Sequence, residues 1–123
     1  VELYDCPSHL LNNAIFVKQV VREASKHGLA TLLDEISHEF VPHGVTVVGL
    51  LAESHIAVHT WPEYSYAAAD IFTCGSTTEP VLACDWLARQ FQSGRHSLTK
   101  LVRGAELLEL SGPTPAKIEI GAG

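Results

Sequence analysis

The sequence predicts an α+β fold, a two-layer sandwich of antiparallel β-sheet and helices. Two observations predict it: two segments with apolar residues at three- and four-residue steps, and several short alternating or β-branched runs around them, in the order strand, helix, four strands, helix, strand. A third bounds it. At 123 residues with 46% hydrophobic and 18% charged side chains, the chain makes one domain (1–123) with a real core.

Val1 to Cys6 alternates as a strand would, and Pro7-Ser8 ends it. From His9 to His27, Leu10, Leu11, Ala14, Ile15, Val17, Val20, Val21 and Ala24 recur at helical spacing, with Gly28 as the expected cap. Thr31 to Val41 reads as a strand, Pro42-His43-Gly44 as a turn, and Val45 to Ala52 as a buried strand. His55 to Thr60 alternates, with Ile56 and Val58 on one face and His55, Ala57 and His59 on the other. Trp61 to Ser65 turns the chain, and Tyr66 to Cys74 is again extended. Glu79 to Phe91 forms the second helix, with Pro80 in its first turn and Cys84 on its inner side; His96 to Gly104 forms a last strand. The 112–123 tail, with two prolines and three glycines, is expected to be loose.

Fourteen acidic and eight basic side chains give a net charge of −6, and the basic ones are scattered, which excludes a nucleic-acid footprint. No apolar run reaches the ~18 residues of a membrane helix. Three cysteines, Cys6, Cys74 and Cys84, form no CxxC pair and point to a reducing, cytoplasmic setting. No signal peptide is recognisable, and because Val1 falls inside a strand pattern, a short preceding segment is expected.

Polar chemistry is concentrated at Glu53-Ser54-His55, His59 and Thr73-Cys74-Gly75. His55 and His59 have the spacing of a helical zinc pair. On a strand, at ~3.3 Å per residue, they stand about 13 Å apart and cannot share a metal, so no metal is expected. A Ser54 triad with a histidine base and Glu53 lacks the strand-to-helix elbow of a serine hydrolase, and strand neighbours point to opposite faces. Taken singly, Ser54 is a turn hydroxyl, each histidine a half-buried polar residue and Cys74 a small hydrophobe. Their grouping asks for another explanation.

The run Ala52-Glu53-Ser54-His55-Ile56-Ala57-Val58-His59-Thr60-Trp61-Pro62-Glu63-Tyr64, continued by Tyr66 to Gly75, resembles the short bacterial and archaeal S-adenosylmethionine decarboxylase proenzymes. Phe40-Val41-Pro42-His43-Gly44-Val45 and Tyr4-Asp5-Cys6-Pro7 extend the resemblance, which covers the chain to about Gly104. It implies that the chain cleaves itself between Glu53 and Ser54 into 1–53 and 54–123. Ser54 then becomes a pyruvoyl cofactor, a ketone that takes the place of a bound pyridoxal. His59 matches the residue that removes a proton during this processing, and Cys74 the one that reprotonates the product carbon. Phe40 and Trp61 fall where the family stacks adenine, and Glu63 where it holds the ribose hydroxyls.

Thr46 stands where the family has a processing serine, and Ser65 where it has a glycine. The resemblance also implies a homodimer with shared active sites. Two other functions stay open at this point: a pyruvoyl-dependent decarboxylase of ornithine or arginine, and an unprocessed, non-catalytic paralogue.

Overall fold

The computed structural model describes residues 1–74, 77–104 and 117–121. Among them, β1 (Glu2–Tyr4) leads through a short α1 (Ser8–Leu11) into α2 (Ala14–His27). Then follow β2 (Leu32–Glu39), β3 (Val45–Leu51), β4 (Ser54–Trp61), a 3-10 turn (Pro62–Tyr64), β5 (Tyr66–Cys74), α3 (Pro80–Gln90), β6 (Arg95–Ser97), β7 (Thr99–Arg103) and β8 (Lys117–Gly121). The strands form one sheet in the order β2-β3-β4-β5-β1-β6, and every pairing is antiparallel. The expected α+β sandwich is what forms.

Three expectations need correction. The single helix from His9 to His27 is two helices, because Asn13 caps α2 by accepting the Phe16 N–H on Oδ1 at 3.1 Å. The apolar pattern runs across this break unchanged. The strand from His96 to Gly104 is also two strands. β6 pairs with β1, whereas β7 pairs with β8, so the chain changes partners at Leu98. Within the tail expected to be loose, residues 117–121 form β8, which pairs with β5 at Asp70–Cys74 beyond the two positions where β1 is bonded. The rest of that tail lies outside the described residues.

Helices α2 and α3 cover one face of the sheet. Val17, Val20, Val21 and Ala24 of α2 and Ala83, Cys84 and Leu87 of α3 are buried against Val45, Val47, Ile56, Val58, Ala67, Ala69 and Ile71. Gly49 lies in this layer with no room for a side chain: a Cβ would stand 2.8 Å from both Ile56 Cγ2 and Leu32 Cδ1. The expected cap at Gly28 holds, its N–H donating to Ala24 O at 2.9 Å, while the following Leu29 takes the left-handed turn at φ 56°.

Among the described residues, nothing covers the opposite face. Register places Ile36, Thr46, Val48, Leu50, His55, His59 and Trp61 there, with Ile36 72% and Leu50 54% exposed.

Candidate active site

The predicted residues fall into two groups at opposite ends of β4. The first is the tight turn of Ala52 and Glu53 that joins β3 to β4. The Cys74 N–H, at the end of β5, donates to the Glu53 carbonyl at 3.0 Å. Ser54 pairs with Thr73 and has φ 154°, a backbone region that residues with a Cβ avoid at a cost of ~1–3 kcal/mol. Such strain is stored where neighbouring contacts over-determine the backbone, and β4 pairs on both sides from Ser54 onward. Next to Ser54, the His55 ring stacks on Phe72 with centroids 5.6 Å apart and planes 2° apart, and the Arg103 guanidinium lies over that same ring at 5.1 Å.

The second group surrounds a cavity of about 250 Å³ lined by Phe40, His43, Thr46, His59, Trp61 and Glu63 among others. Thr46 Oγ1 and His59 Nδ1 are 3.0 Å apart across the β3–β4 pair. With Nδ1–H donating to this hydroxyl, the ring is held in place and Nε2 is the unprotonated nitrogen able to take a proton. Trp61 is 39% and Phe40 50% exposed, so both present flat apolar area. Trp61 rests against Tyr66 at 5.4 Å, and the Tyr66 hydroxyl donates to Glu2 Oε1 at 2.9 Å. Burial and this carboxylate push the Tyr66 phenol up to about 12, which keeps it a neutral donor.

The loop bearing Phe40 and His43 is tied down at Gly44. The Phe40 N–H donates to Gly44 O at 2.8 Å and the Gly44 N–H to Asn12 Oδ1 at 3.0 Å. Gly44 has φ 107°, and a Cβ there would meet Thr60 O at 3.2 Å. Glu63 Oε2 contacts His43 Nε2, a pairing that sequence reading missed because it joins a loop to a 3-10 turn across the fold. Ser65, in the place of a family glycine, has φ 50° and ψ 37°, the left-handed conformation for which glycine is best suited.

Ser54 and His59 do not meet within one chain. Five residues of extended strand separate them by about 16 Å, at ~3.3 Å per residue. Among the described residues, no cluster of three His, Cys, Asp or Glu side chains is arranged to hold a metal ion. Nor is any described helix long and apolar enough to cross a membrane.

The family model described as S-adenosylmethionine decarboxylase matches residues 1–104. The chain belongs to the S-adenosylmethionine decarboxylase family. The match ends where the resemblance read from the sequence ends. An S-adenosylmethionine decarboxylase proenzyme from Prochlorococcus marinus is 49% identical over 108 residues, covering 88% of each chain. One from Thermosipho melanesiensis is 37% identical over 120 residues, 97% of this chain and 92% of that protein. The crystal structure of the adenosylmethionine decarboxylase from Aquifex aeolicus is similar with a TM-score of 0.71 and 33% identity, over 76% of this chain and 78% of that one.

Proposed function

We propose that this chain is a self-processing, pyruvoyl-dependent decarboxylase of S-adenosylmethionine, acting as a homodimer whose active sites draw on both chains. The observation that carries the reading is the Glu53–Ser54 peptide. Its carbonyl oxygen accepts the Cys74 N–H at 3.0 Å, and its serine is held at φ 154°.

In processing, Ser54 Oγ adds to the Glu53 carbonyl carbon. The C–N bond then breaks, its electron pair stays on nitrogen, the hydroxyl proton follows, and an ester links Ser54 Oγ to Glu53. Negative charge develops on the Glu53 oxygen during the addition, where the Cys74 N–H already points. His59 of the second chain takes the Ser54 Cα proton; the freed pair forms a Cα–Cβ double bond and expels the Glu53 carboxylate. Tautomerisation to an imine, addition of water and loss of ammonia leave a pyruvoyl group at the head of 54–123, and 1–53 ends at Glu53. The residues present therefore fit a cofactor made in place.

That group supplies an electron sink for loss of carbon dioxide from an α-amino acid. Around it, Cys74 returns a proton to the former α-carbon. Phe40 and Trp61 stack the purine, and Glu63, steadied by His43, accepts hydrogen bonds from the ribose hydroxyls. A short cationic amino acid would have no use for this aromatic cavity, and the relatives of the chain carry the S-adenosylmethionine name. Thr46 orients the His59 ring, a task for which its hydroxyl replaces that of serine.

Two observations support the dimer. Ser54 and His59 are too far apart to act on each other in one chain, and the uncovered sheet face carries exposed Ile36, Leu50 and Trp61. A two-fold pairing of these faces brings the Ser54 end of one β4 to the His59 end of the other. Three free cysteines suit a reducing, cytoplasmic setting.

Intact-mass measurement on purified protein, beside release of carbon dioxide from carboxyl-labelled S-adenosylmethionine, ornithine and arginine, tests the reading. The wild-type chain should give two fragments meeting at Glu53/Ser54 and release carbon dioxide from S-adenosylmethionine, and Ser54→Ala should stay whole and inactive. Cleavage of Ser54→Ala at this bond, or activity on an amino acid with none on S-adenosylmethionine, would overturn it.

A further inference from the structure

We propose that the Glu53 carboxylate is a positioning residue for self-cleavage, acting as a tether to Thr31. This rests on Glu53–Ser54 being the cleaved bond and assigns the Glu53 side chain a task of its own. The turn residues Ala52 and Glu53 are gripped from two sides. On one side the Thr31 N–H donates to Glu53 Oε1 at 2.9 Å, and Thr31 O accepts the Ala52 N–H at 2.9 Å. On the other, the Cys74 N–H holds the Glu53 carbonyl.

Thr31 is itself a fixed post. The residue before it is bonded back to α2, Ala30 N–H donating to Ser25 O at 2.9 Å, and Gly28 O accepts the Glu79 N–H at 2.7 Å, which ties the same connection to the start of α3. Glu53 is therefore attached at its side-chain end to one post and at its carbonyl to another. With both ends held, rotation about its Cα–C bond is restricted. That rotation decides whether the carbonyl carbon faces the Ser54 hydroxyl, since attack requires the reacting atoms at near-contact distance in one orientation. It also lets the φ of 154° at Ser54 relax once the turn is loose, so the tether and the strained serine act together. Because Thr31 contributes only main-chain atoms, the acceptor on Glu53 is what a substitution can remove.

The test follows cleavage of freshly translated full-length chain by denaturing electrophoresis and intact mass, for wild type, Glu53→Gln and Glu53→Ala. Glu53→Gln keeps an acceptor oxygen at the same reach and should cleave at close to the wild-type rate. Glu53→Ala should cleave about tenfold more slowly, as for the loss of one hydrogen bond. Its thermal unfolding, measured in a Ser54→Ala background, should be nearly unchanged, and once processed it should turn over at the wild-type rate per pyruvoyl group.

Equal cleavage rates for wild type and Glu53→Ala overturn the tether, and so does a slow Glu53→Gln, which would make charge the active property. A melting temperature that falls in step with the rate does the same by making Glu53 merely structural. Absence of cleavage in the wild type is a different result, and overturns the reading of the bond itself.

Discussion

Mixed dimers of Ser54→Ala and His59→Ala chains should contain one whole processing site, although neither variant has one alone. Along β4 the two side chains are about 16 Å apart, at ~3.3 Å per residue, whereas proton transfer needs contact at about 3 Å. Within a shared arrangement, the His59→Ala chain keeps its own Ser54 and borrows the histidine of its partner. The second site of that dimer lacks both groups. Alone, Ser54→Ala cannot cleave, and His59→Ala should cleave 10²–10⁴-fold more slowly, the usual worth of a general base.

If the two are co-expressed equally and associate at random, about half of the His59→Ala chains sit beside a Ser54→Ala partner, and that half should be processed. Intact mass distinguishes the chains by their substitutions and shows which carry a new blocked end at position 54. A double variant co-expressed with wild type serves as the control, since its mixed dimers contain a complete site only if both groups act within one chain. Processing of all the wild-type chains in that control rather than about half of them, with none of the His59→Ala chains rescued, would refute the shared site.

Gly49→Ala should destabilise the fold by ~1–3 kcal/mol, the cost of overpacking, because its Cβ would lie 2.8 Å from Ile56 Cγ2 and Leu32 Cδ1. Denaturant unfolding of the uncleaved Ser54→Ala chain measures this, and a neutral result would contradict the packing of β3 under α2. The thiols should differ in reactivity. Burial pushes Cys6 and Cys84 up to about 11, and a raised thiol has less thiolate at any lower pH, roughly one molecule in a thousand at pH 8. Cys74 is only half-buried, so iodoacetamide should label it well before the other two, by peptide mass spectrometry. Equal labelling of Cys84 in the folded protein would contradict its placement.

The parts of this fold that follow local rules were legible in the sequence. The alternation from His55 to Thr60 located β4 and its two faces, and the dense apolar run from Val45 located β3, although only one of its faces is buried. What escaped depends on distant partners. Nothing between His96 and Gly104 signals that the first half will bond to β1 and the second to β8. Asn13 is a residue type that caps helices, yet Leu10, Leu11, Ala14 and Ile15 carry the helical period straight through it. At the site, the family resemblance implied the chemistry, whereas Thr31 left no trace because it bonds through its backbone. Strand geometry also carried a message about assembly: on one continuous strand, Ser54 and His59 lie too far apart to meet.

The strand order has a consequence for the life history of the molecule. Residues 1–53 supply β1, β2 and β3, while β4 to β8 come from the residues after the proposed cut. Along the path β2-β3-β4-β5-β1-β6 the sheet takes two strands from the first piece, two from the second, one from the first and one from the second, like a dovetail joint, and β8 and β7 of the second piece join it at β5. β1 of the first piece lies between β5 and β6 of the second, so the first piece cannot be withdrawn without opening the sheet of the other. A linker as short as the β3–β4 turn keeps the two strands at an effective concentration of order millimolar. Once it is cut, unfolded fragments must find each other by diffusion at whatever concentration the solution offers. A chain cleaved there could no longer regain its shape by the intramolecular route through which it was made.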